Sequence, residues 1–487
     1  MQPTAQKPVP KPIKKEDNES NKKSWKKRFA MPDAFVILFS LLLLAALCTY
    51  IIPAGSFDRE TTDNGITQVI PGSYTATNGE PASIMDIFLA IQNGLIDSAN
   101  LIFMVLIIGG TVAVFEYTGA VNSGINVLIE RTKEKKYLLI TSIIVLFGVL
   151  DMVGISGNAV IAFIPIGIIL AKALKLDAIT GVAMIYLGQY VGVATGTFDP
   201  IITGTAQNIA GLPLFSGAAL RGAAFIVLLI VTVIYVCLYV KRISNDPSKS
   251  KMGIVPFAGE SSEKEKEDIG GFTTLHKLCM LTLFVYIGIF LFGVYNLEWS
   301  INQLSAIFMM MAITVAIIAK ITPNKFVSVF LDGARGLVYG ALIIGMAKAI
   351  VLVLENGNIM DTIVTYALSP LEGLPAILGA QAMYLFNLLF NLVVTSGSGQ
   401  AVIVMPFMVS LVDTLELTRQ TGVLAFKLGE GITNIITPAS GILMAVLAIG
   451  GIPWIKWAKF VWPLVLIWAT IGSIFVGIAV LINYGPF

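Results

Sequence analysis

Glu430 and Asp199 are the side chains best suited to handle a charged group in this chain. Glu430 lies in Gly429-Glu430-Gly431-Ile432-Thr433-Asn434-Ile435-Ile436-Thr437-Pro438, and Asp199 in Thr195-Gly196-Thr197-Phe198-Asp199-Pro200. Both stretches interrupt apolar runs with Gly and Pro, which weaken a helix and free backbone groups. An ionisable residue inside such a run is a functional candidate, because hydrocarbon does not tolerate an idle charge. Either acid can hold an ammonium group, a Na⁺ ion or a coupled proton; paired with Lys427 or Lys348, either becomes a structural ion pair instead. Thr195, Thr197, Thr433, Asn434 and Thr437 add hydroxyls and an amide beside them. A second pair of clusters, Ser156-Gly157-Asn158 and Ser396-Gly397-Ser398-Gly399-Gln400, sits between apolar arms. A polar turn at membrane depth is tolerated only where it lines a cavity or is buried in protein. The arm after each turn, beginning near Ala159 and Ala401, offers free N–H groups and a positive helix end to an anion. The two turns are expected to bind a carboxylate, a cation through their carbonyls, or both; the alternative is a tight turn capped by Ser and Asn. Lys348 and Arg335 are candidates for pairing with a carboxylate, Arg335 lying on an amphipathic, interfacial stretch. Asp151 and Glu116 are read as span-end residues outside the site.

The elements that position these residues follow from composition. The chain has 487 residues, 56% apolar and 13% charged, against about 25% charge in a soluble domain. Its many apolar runs of about 20 residues are long enough to cross ~30 Å of hydrocarbon. The fold class expected is an all-α polytopic membrane protein. The three cysteines stand far apart, so neither a disulfide framework nor a metal knuckle is indicated. Gly154-Ile155-Ser156-Gly157 matches the Gly-x-Ser-Gly pattern of rhomboid-type intramembrane proteases. That chemistry needs a base on the serine, and the single histidine, His276, sits beside Lys277 at a span boundary. No Gly-x-x-x-x-Gly-Lys-Ser/Thr phosphate loop is present. The expectation is a protein that is not an enzyme and takes no cofactor beyond a coupling Na⁺ or proton, with a Na⁺ site at the hairpin turns as the one metal option. Its partners are a small-molecule substrate and membrane lipid, with no nucleic acid.

Residues 1–33 carry nine Lys/Arg between Lys7 and Arg28 and few apolar residues. They read as a disordered basic cytoplasmic tail, and the run 34–52 after it as an uncleaved first span. Further Lys/Arg groups, at 131–136, 172–175, 241–277, 320–325 and 456–459, are also expected in the cytoplasm. One topology satisfies them all. It has nine spans, amphipathic stretches at 84–98 and 326–340, a first helical hairpin at 137–153 and 159–173 and a second at 376–394 and 401–412. Interrupted spans occupy 178–213 and 420–450, a separate span 341–355, and the last span 462–483. The N-terminus is then cytoplasmic and the C-terminus outside.

The halves match each other. Ser156-Gly157-Asn158-Ala159-Val160-Ile161 recurs as Ser398-Gly399-Gln400-Ala401-Val402-Ile403, with five of six residues identical. Thr180-Gly181-Val182 and Leu187-Gly188-Gln189 recur as Thr421-Gly422-Val423 and Leu428-Gly429-Glu430. The expected organisation is a first membrane repeat at 34–240, a cytoplasmic loop at 241–277, a linking helix at 278–302 and a second, inverted repeat at 303–487. Inverted repeats with interrupted helices in matching places point to an alternating-access secondary transporter with its site between them. Simple duplication with packing glycines is the plainer reading, but it leaves the recurring polar residues unexplained. A channel or a ligand-sensing membrane protein would share the same spans.

Thr395-Ser396-Gly397-Ser398-Gly399-Gln400-Ala401 and Leu428 to Pro438 resemble the YfcC-type branch of the anaerobic C4-dicarboxylate carrier (DcuC) family, as do Met31-Pro32-Asp33-Ala34-Phe35 and Ile52-Pro53-Ala54-Gly55-Ser56-Phe57. The resemblance implies an ion-coupled or exchange carrier of the bacterial inner membrane. It also implies kinship with the ion transporter superfamily, whose members pair two hairpins with two broken helices and are often dimers. Those relatives commonly carry Ser-Asn-Thr at the hairpin tips; this chain does not, which weakens any transfer of Na⁺ ligands. Dicarboxylates and arginine/ornithine exchange are the two cargo assignments attached to the family. The scarcity of intramembrane cations tilts the expectation toward an amino acid.

Overall fold

Interruptions and caps set the element boundaries. The computed structural model describes residues 34–61, 67–70, 72–120, 123, 135–154, 157–253, 257, 273–297, 299 and 301–485. The basic tail 1–33 and Ser156 lie outside them. Helix α1 (Ala34–Ile51) leads to two short antiparallel strand pairs, β1 (Gly55–Ser56) with β4 (Thr75–Ala76) and β2 (Arg59–Thr61) with β3 (Thr67–Val69). Next come α2 (Ile84–Asp97), started by a Ser83–Asp86 capping box, and α3 (Ala99–Tyr117), set off by a kink at Ser98. The first hairpin is α4 (Lys136–Met152), a tight helical segment Gly157–Phe163 and α5 (Ile164–Ala173). Helix α6 (Ala178–Thr195) is capped by Asp177, which accepts from Thr180 N at 3.0 Å. It stops at Gly196, whose φ of +48° glycine adopts without the Cβ penalty. Helices α7 (Ile202–Ile209) and α8 (Ala218–Asn245) close the first half.

The second half runs α9 (Thr274–Leu297), α10 (Ile301–Ile318), α11 (Pro323–Asn356), α12 (Met360–Leu368), α13 (Ala376–Phe390), α14 (Gly397–Thr414), α15 (Arg419–Thr433), α16 (Gly441–Ile449) and α17 (Trp454–Leu481). Most elements repeat in kind: α4 to α8 answer to α13 to α17, α8 and α17 having 28 residues each. The stretch 84–117 matches α11 in length.

Among the described residues, seven helices are long and apolar enough to cross a membrane: α3, α6, α8, α9, α11, α14 and α17. On α8, Ile226, Ile230, Ile234 and Leu238 form an exposed apolar face, while Leu228, Thr232 and Val236 face inward. A helix apolar on its outside as well as its inside is one whose solvent is lipid. The protein is an all-α polytopic membrane protein.

Four boundaries differ from the sequence reading. The stretches 326–340 and 341–355 form one continuous helix, α11, because no cap or proline separates them and Gly333, Gly340 and Gly345 sit in helix contacts. The second hairpin arm begins at Gly397 rather than Ala401, since Ser396 caps it by accepting from Gly399 N. Helix α8 runs on to Asn245, past the expected boundary at 240. The chain just after it packs back on the bundle, with Ser250 Oγ donating to Asp177 Oδ2 at 2.6 Å and Lys456 Nζ to the Met252 carbonyl at 2.6 Å. The last span starts at Trp454, with Pro463 inside it.

The helices pack as two groups. Helices α1, α2 and α3 gather around the long α11, with α10 on α3 and α9 on α10; α4 to α8, α13 to α15 and α17 gather around the two broken helices. Helix α16, the far half of the second broken helix, packs mainly on α11 and α3. The broken helices meet at Gly431, where a Cβ would stand 2.3 Å from Ala194 Cα. The strand region is held down by Asp361, whose Oδ2 accepts from Phe57 N at 3.1 Å and from Arg59 Nη2 at 2.9 Å, and whose Oδ1 accepts from the same Nη2 at 3.1 Å.

Gly431→Val overpacks this contact and should cost about 1–3 kcal/mol, read as a lower melting temperature in detergent. Gly336→Ala, at a site with nothing within 4 Å, should leave it unchanged or slightly raised; equal effects would remove the close-approach role. Asp361→Ala should speed tryptic cleavage after Arg59 without loss of helical circular dichroism. An unchanged cleavage rate would show that the ion pair does not hold the strands.

Candidate functional site

The break in α6 and the unwound stretch after α15 face each other across a fully enclosed lysine. Lys427 Nζ lies 3.1 Å from Glu430 Oε2, one turn along α15, and 3.6 Å from Asp199 Oδ2, just beyond the α6 break. Side-chain exposures are 0% for Lys427, 2% for Glu430 and 8% for Asp199. The lysine stem passes over Gly196, where a Cβ would stand 2.4 Å from Lys427 Cε. Asp199 also caps α7, accepting from the backbone N–H groups of Ile201, Ile202 and Thr203. Its charge is thus shared between a helix N-terminus and the ammonium.

The two hairpins reach this ion cluster from either flank. Gly154, at the end of the first arm, is packed against Asp199, 3.1 Å from a would-be Cβ to Oδ1. Gly397, the first residue of α14, abuts Glu430, with 2.5 Å from a would-be Cβ to Oε1. Hairpin, Asp199, Lys427, Glu430 and second hairpin therefore form one line. Gly157 donates its N–H to Asp151 Oδ1 at 3.0 Å, and its carbonyl accepts from Gln189 Nε2 at 2.6 Å. The side chain of Asn158 lies outside the described residues.

The amides form a layer under Glu430. Asn434 Nδ2 donates to the Glu430 carbonyl at 3.3 Å and lies 3.5 Å from Oε1. Asn391 Nδ2 donates to Thr433 Oγ1 at 2.8 Å, and Thr433 Oγ1 to the Leu388 carbonyl at 3.1 Å. Gln400 Nε2 donates to Asn387 Oδ1 at 2.8 Å. Thr437 Oγ1 donates to the Leu392 carbonyl at 2.6 Å. These bonds tie the unwound stretch to the second hairpin. The freed carbonyls of Asn434, Ile435 and Ile436 take donors from Tyr186, Trp457 and Trp454. Thr195 is spent on its own helix, donating to the Val191 and Gly192 carbonyls. Thr197 is buried beside Arg221, whose Nη2 donates to the Thr197 carbonyl at 3.3 Å.

A cavity of about 650 Å³ opens at the strand end of the bundle. Ser396 and Gly399 line it, as do Thr395, Ala439 and Gly441, so its floor lies one turn of backbone from Glu430. Ser396 and Ser398 are exposed, whereas Gln400 is fully buried inside α14. Lys348 is on the wall, 3.9 Å from Asp97, and the Arg59–Asp361 pair stands at the mouth. Arg335 is far from this arrangement in character, an exposed residue paired with Asp332 at 2.9 Å.

Three participants escaped the sequence reading. Lys427 entered it only as a bland partner; its signal was a lysine three residues before Glu430 in an otherwise uncharged run. Arg221 is fully buried, and an arginine in the first turn of an apolar helix was the signal. Asp151, set aside as a span-end residue, is 3% exposed and receives the first hairpin turn.

Residues 31–481 match the family model described as the C4-dicarboxylate anaerobic carrier, DcuC. The chain is 30% identical over 473 residues to an Escherichia coli K12 protein described as "Putative basic amino acid antiporter YfcC", covering 89% of this chain and 93% of that one. It is likewise 30% identical over 500 residues to a Haemophilus influenzae protein described as uncharacterized, covering 92% and 97%. Among solved structures, the YdaH transporter of Alcanivorax borkumensis aligns with 93% of this chain and 100% of its own at 14% identity and a TM-score of 0.39. The match runs through both hairpins, both broken helices and the enclosed ion cluster, and by it the chain belongs to the DcuC family of membrane carriers and is not an enzyme.

Proposed function

We propose that the protein is an alternating-access antiporter for a cationic amino acid such as arginine or ornithine, with the C4-dicarboxylate carrier as the second reading. The carrying observation is the enclosed carboxylate pair, Glu430 and Asp199, already holding an ammonium group 3.1 and 3.6 Å away. A site that accommodates one alkylammonium ion between two carboxylates has the donor set for a substrate's cationic end. The substrate's carboxylate would meet the N-terminal turn of α14, where Ser396 and Gly399 face the cavity. The E. coli relative's description supports the amino acid. The family's own description, with Lys348 and Arg59 on the cavity wall, supports the dicarboxylate.

The repeats are read as inverted. Lys136 beside Ser244, Lys172 over Phe257 and Lys456 on Met252 gather at the end of the bundle where the first hairpin enters. Arg419, Asp413 and Tyr484 lie at the opposite end, where the second hairpin enters. The positive-inside rule then places the first end in the cytoplasm, with the N-terminus inside, the C-terminus outside and the chain in the bacterial inner membrane. A homodimer is the assembly the family resemblance favours. Na⁺ and the proton are both open as coupling ions for this reading.

Glu430→Gln leaves Lys427 with Asp199 as a neutral pair, so the variant should elute as a folded species. Its counterflow should fall roughly 10- to 100-fold, the size of a lost charge-assisted bond; unchanged uptake would take Glu430 out of the site. Counterflow in proteoliposomes with labelled arginine and labelled succinate separates the cargo readings. Arginine alone should accumulate against matched unlabelled interiors; succinate alone would give the site to a dicarboxylate.

A further inference from the structure

We propose that Lys427 is a tethered stand-in for the cationic substrate and the carrier's proton donor: the entering cation takes over Glu430 and Asp199, and Lys427 releases its proton to solvent. This inference rests on the cationic-substrate reading above and adds the coupling ion to it.

The charges require one of two things when a cation arrives. Counted over Lys427, Glu430 and Asp199, the enclosure carries one net negative charge while the lysine is protonated. A second cation on Glu430 or Asp199, even on the other oxygen, comes within a carboxylate's width of Oε2 and Oδ2, which Lys427 holds at 3.1 and 3.6 Å. Two positive charges then stand a few ångströms apart in a buried site, where little screens them. Either the lysine swings away or it loses its charge. It has nowhere to swing. The ammonium is 0% exposed, and its stem is threaded past Gly196, whose missing side chain makes the slot it occupies. Lysine, unlike arginine, gives up its proton readily when its environment disfavours charge.

The groups facing Lys427 come from several elements. Glu430 is on its own helix, Asp199 on the link between α6 and α7, and Asp151 on α4 faces it at longer range. Arg221 on α8 faces Asp199, and Tyr190 on α6 faces Glu430 and Asp151. Lys427 is the member of this set that touches both carboxylates of the cluster by its charge. The step balances when the opening that admits the substrate also admits water: the lysine N–H bond breaks, the proton passes to that water, and the lone pair stays on Nζ. Loading one cation and releasing one proton leaves the enclosure at the same net charge. The loaded and the empty carrier then present the same charge to the membrane interior, where each unpaired charge is costly.

The test is isothermal calorimetry of arginine binding to the purified full chain in buffers of differing ionisation enthalpy. The same preparations, reconstituted with an entrapped pH dye, report proton movement during arginine influx. Wild type should release a proton per arginine bound, and its lumen should turn alkaline as arginine enters. Lys427→Arg, which keeps a charge that does not titrate, should lose arginine binding and counterflow together with both proton signals, because the second positive charge cannot be relieved. Lys427→Gln, which removes both the charge and the proton, should bind arginine with no proton released, with gel filtration checking its fold. Binding without proton release in wild type, or proton release undiminished in a folded Lys427 variant, overturns the proposal and leaves the antiporter reading intact. Absence of any binding or counterflow of arginine, ornithine or lysine by wild type overturns the cationic-substrate reading and this proposal with it.

Discussion

A fully buried ammonium group between two carboxylates dictates much of what surrounds it. Each such ion loses several kcal/mol of hydration, and removing one partner of a buried pair costs about 3–5 kcal/mol. The cluster survives because it is met on every side. Asp199 receives three backbone N–H groups from α7 as well as the lysine. Glu430 is backed by Asn434 and by the closely apposed Gly397. The helices must break at this place for those backbone donors to exist, and residues 196, 397 and 431 must be small for the elements to close over it. Breaks, glycines and ions are thus one requirement seen from three sides.

Much of this arrangement was legible in the sequence because membranes impose strong grammar. Apolar runs, basic clusters and the repeated hexamers around Ser156 and Ser398 gave the hairpins, the broken helices and the all-α class. Glu430 and Asp199 were legible as charges where charges are rare. What was missed has a common cause. Sequence spacing places Lys427 on the same helix as Glu430, but says nothing of its reach across to Asp199, which is 228 positions away in the chain and 3.6 Å away in space. Arg221 and Asp151 sat at span ends, where a charged residue is ordinarily interfacial, and only the packing of α4, α6 and α8 puts them inside. The start of α14 was misjudged by four residues because Gly397 and Gly399 read as turn formers, whereas here they let the helix start press against Glu430.

The halves are alike in order but not in use. The first half bends at Ser98 where the second carries α11 straight through. Helix α7 stays with α14 and α15, while its counterpart α16 packs on α11 and α3. The cavity accordingly touches the second hairpin's turn, and the ion cluster lies just behind it. A symmetric pattern of residues has been built into an asymmetric arrangement, with the second hairpin's turn lining the cavity.

The indoles of Trp454 and Trp457 hold the carbonyls of Ile436 and Ile435 in the unwound stretch. A break in a helix is commonly imagined as a joint, but a joint needs free backbone groups that can trade partners. Here the partners are rings anchored on α17, one of them fully buried, so the corner is braced like a masonry arch. The unwound stretch beyond Glu430 is therefore tied to α17, and any displacement of that helix carries the stretch with it.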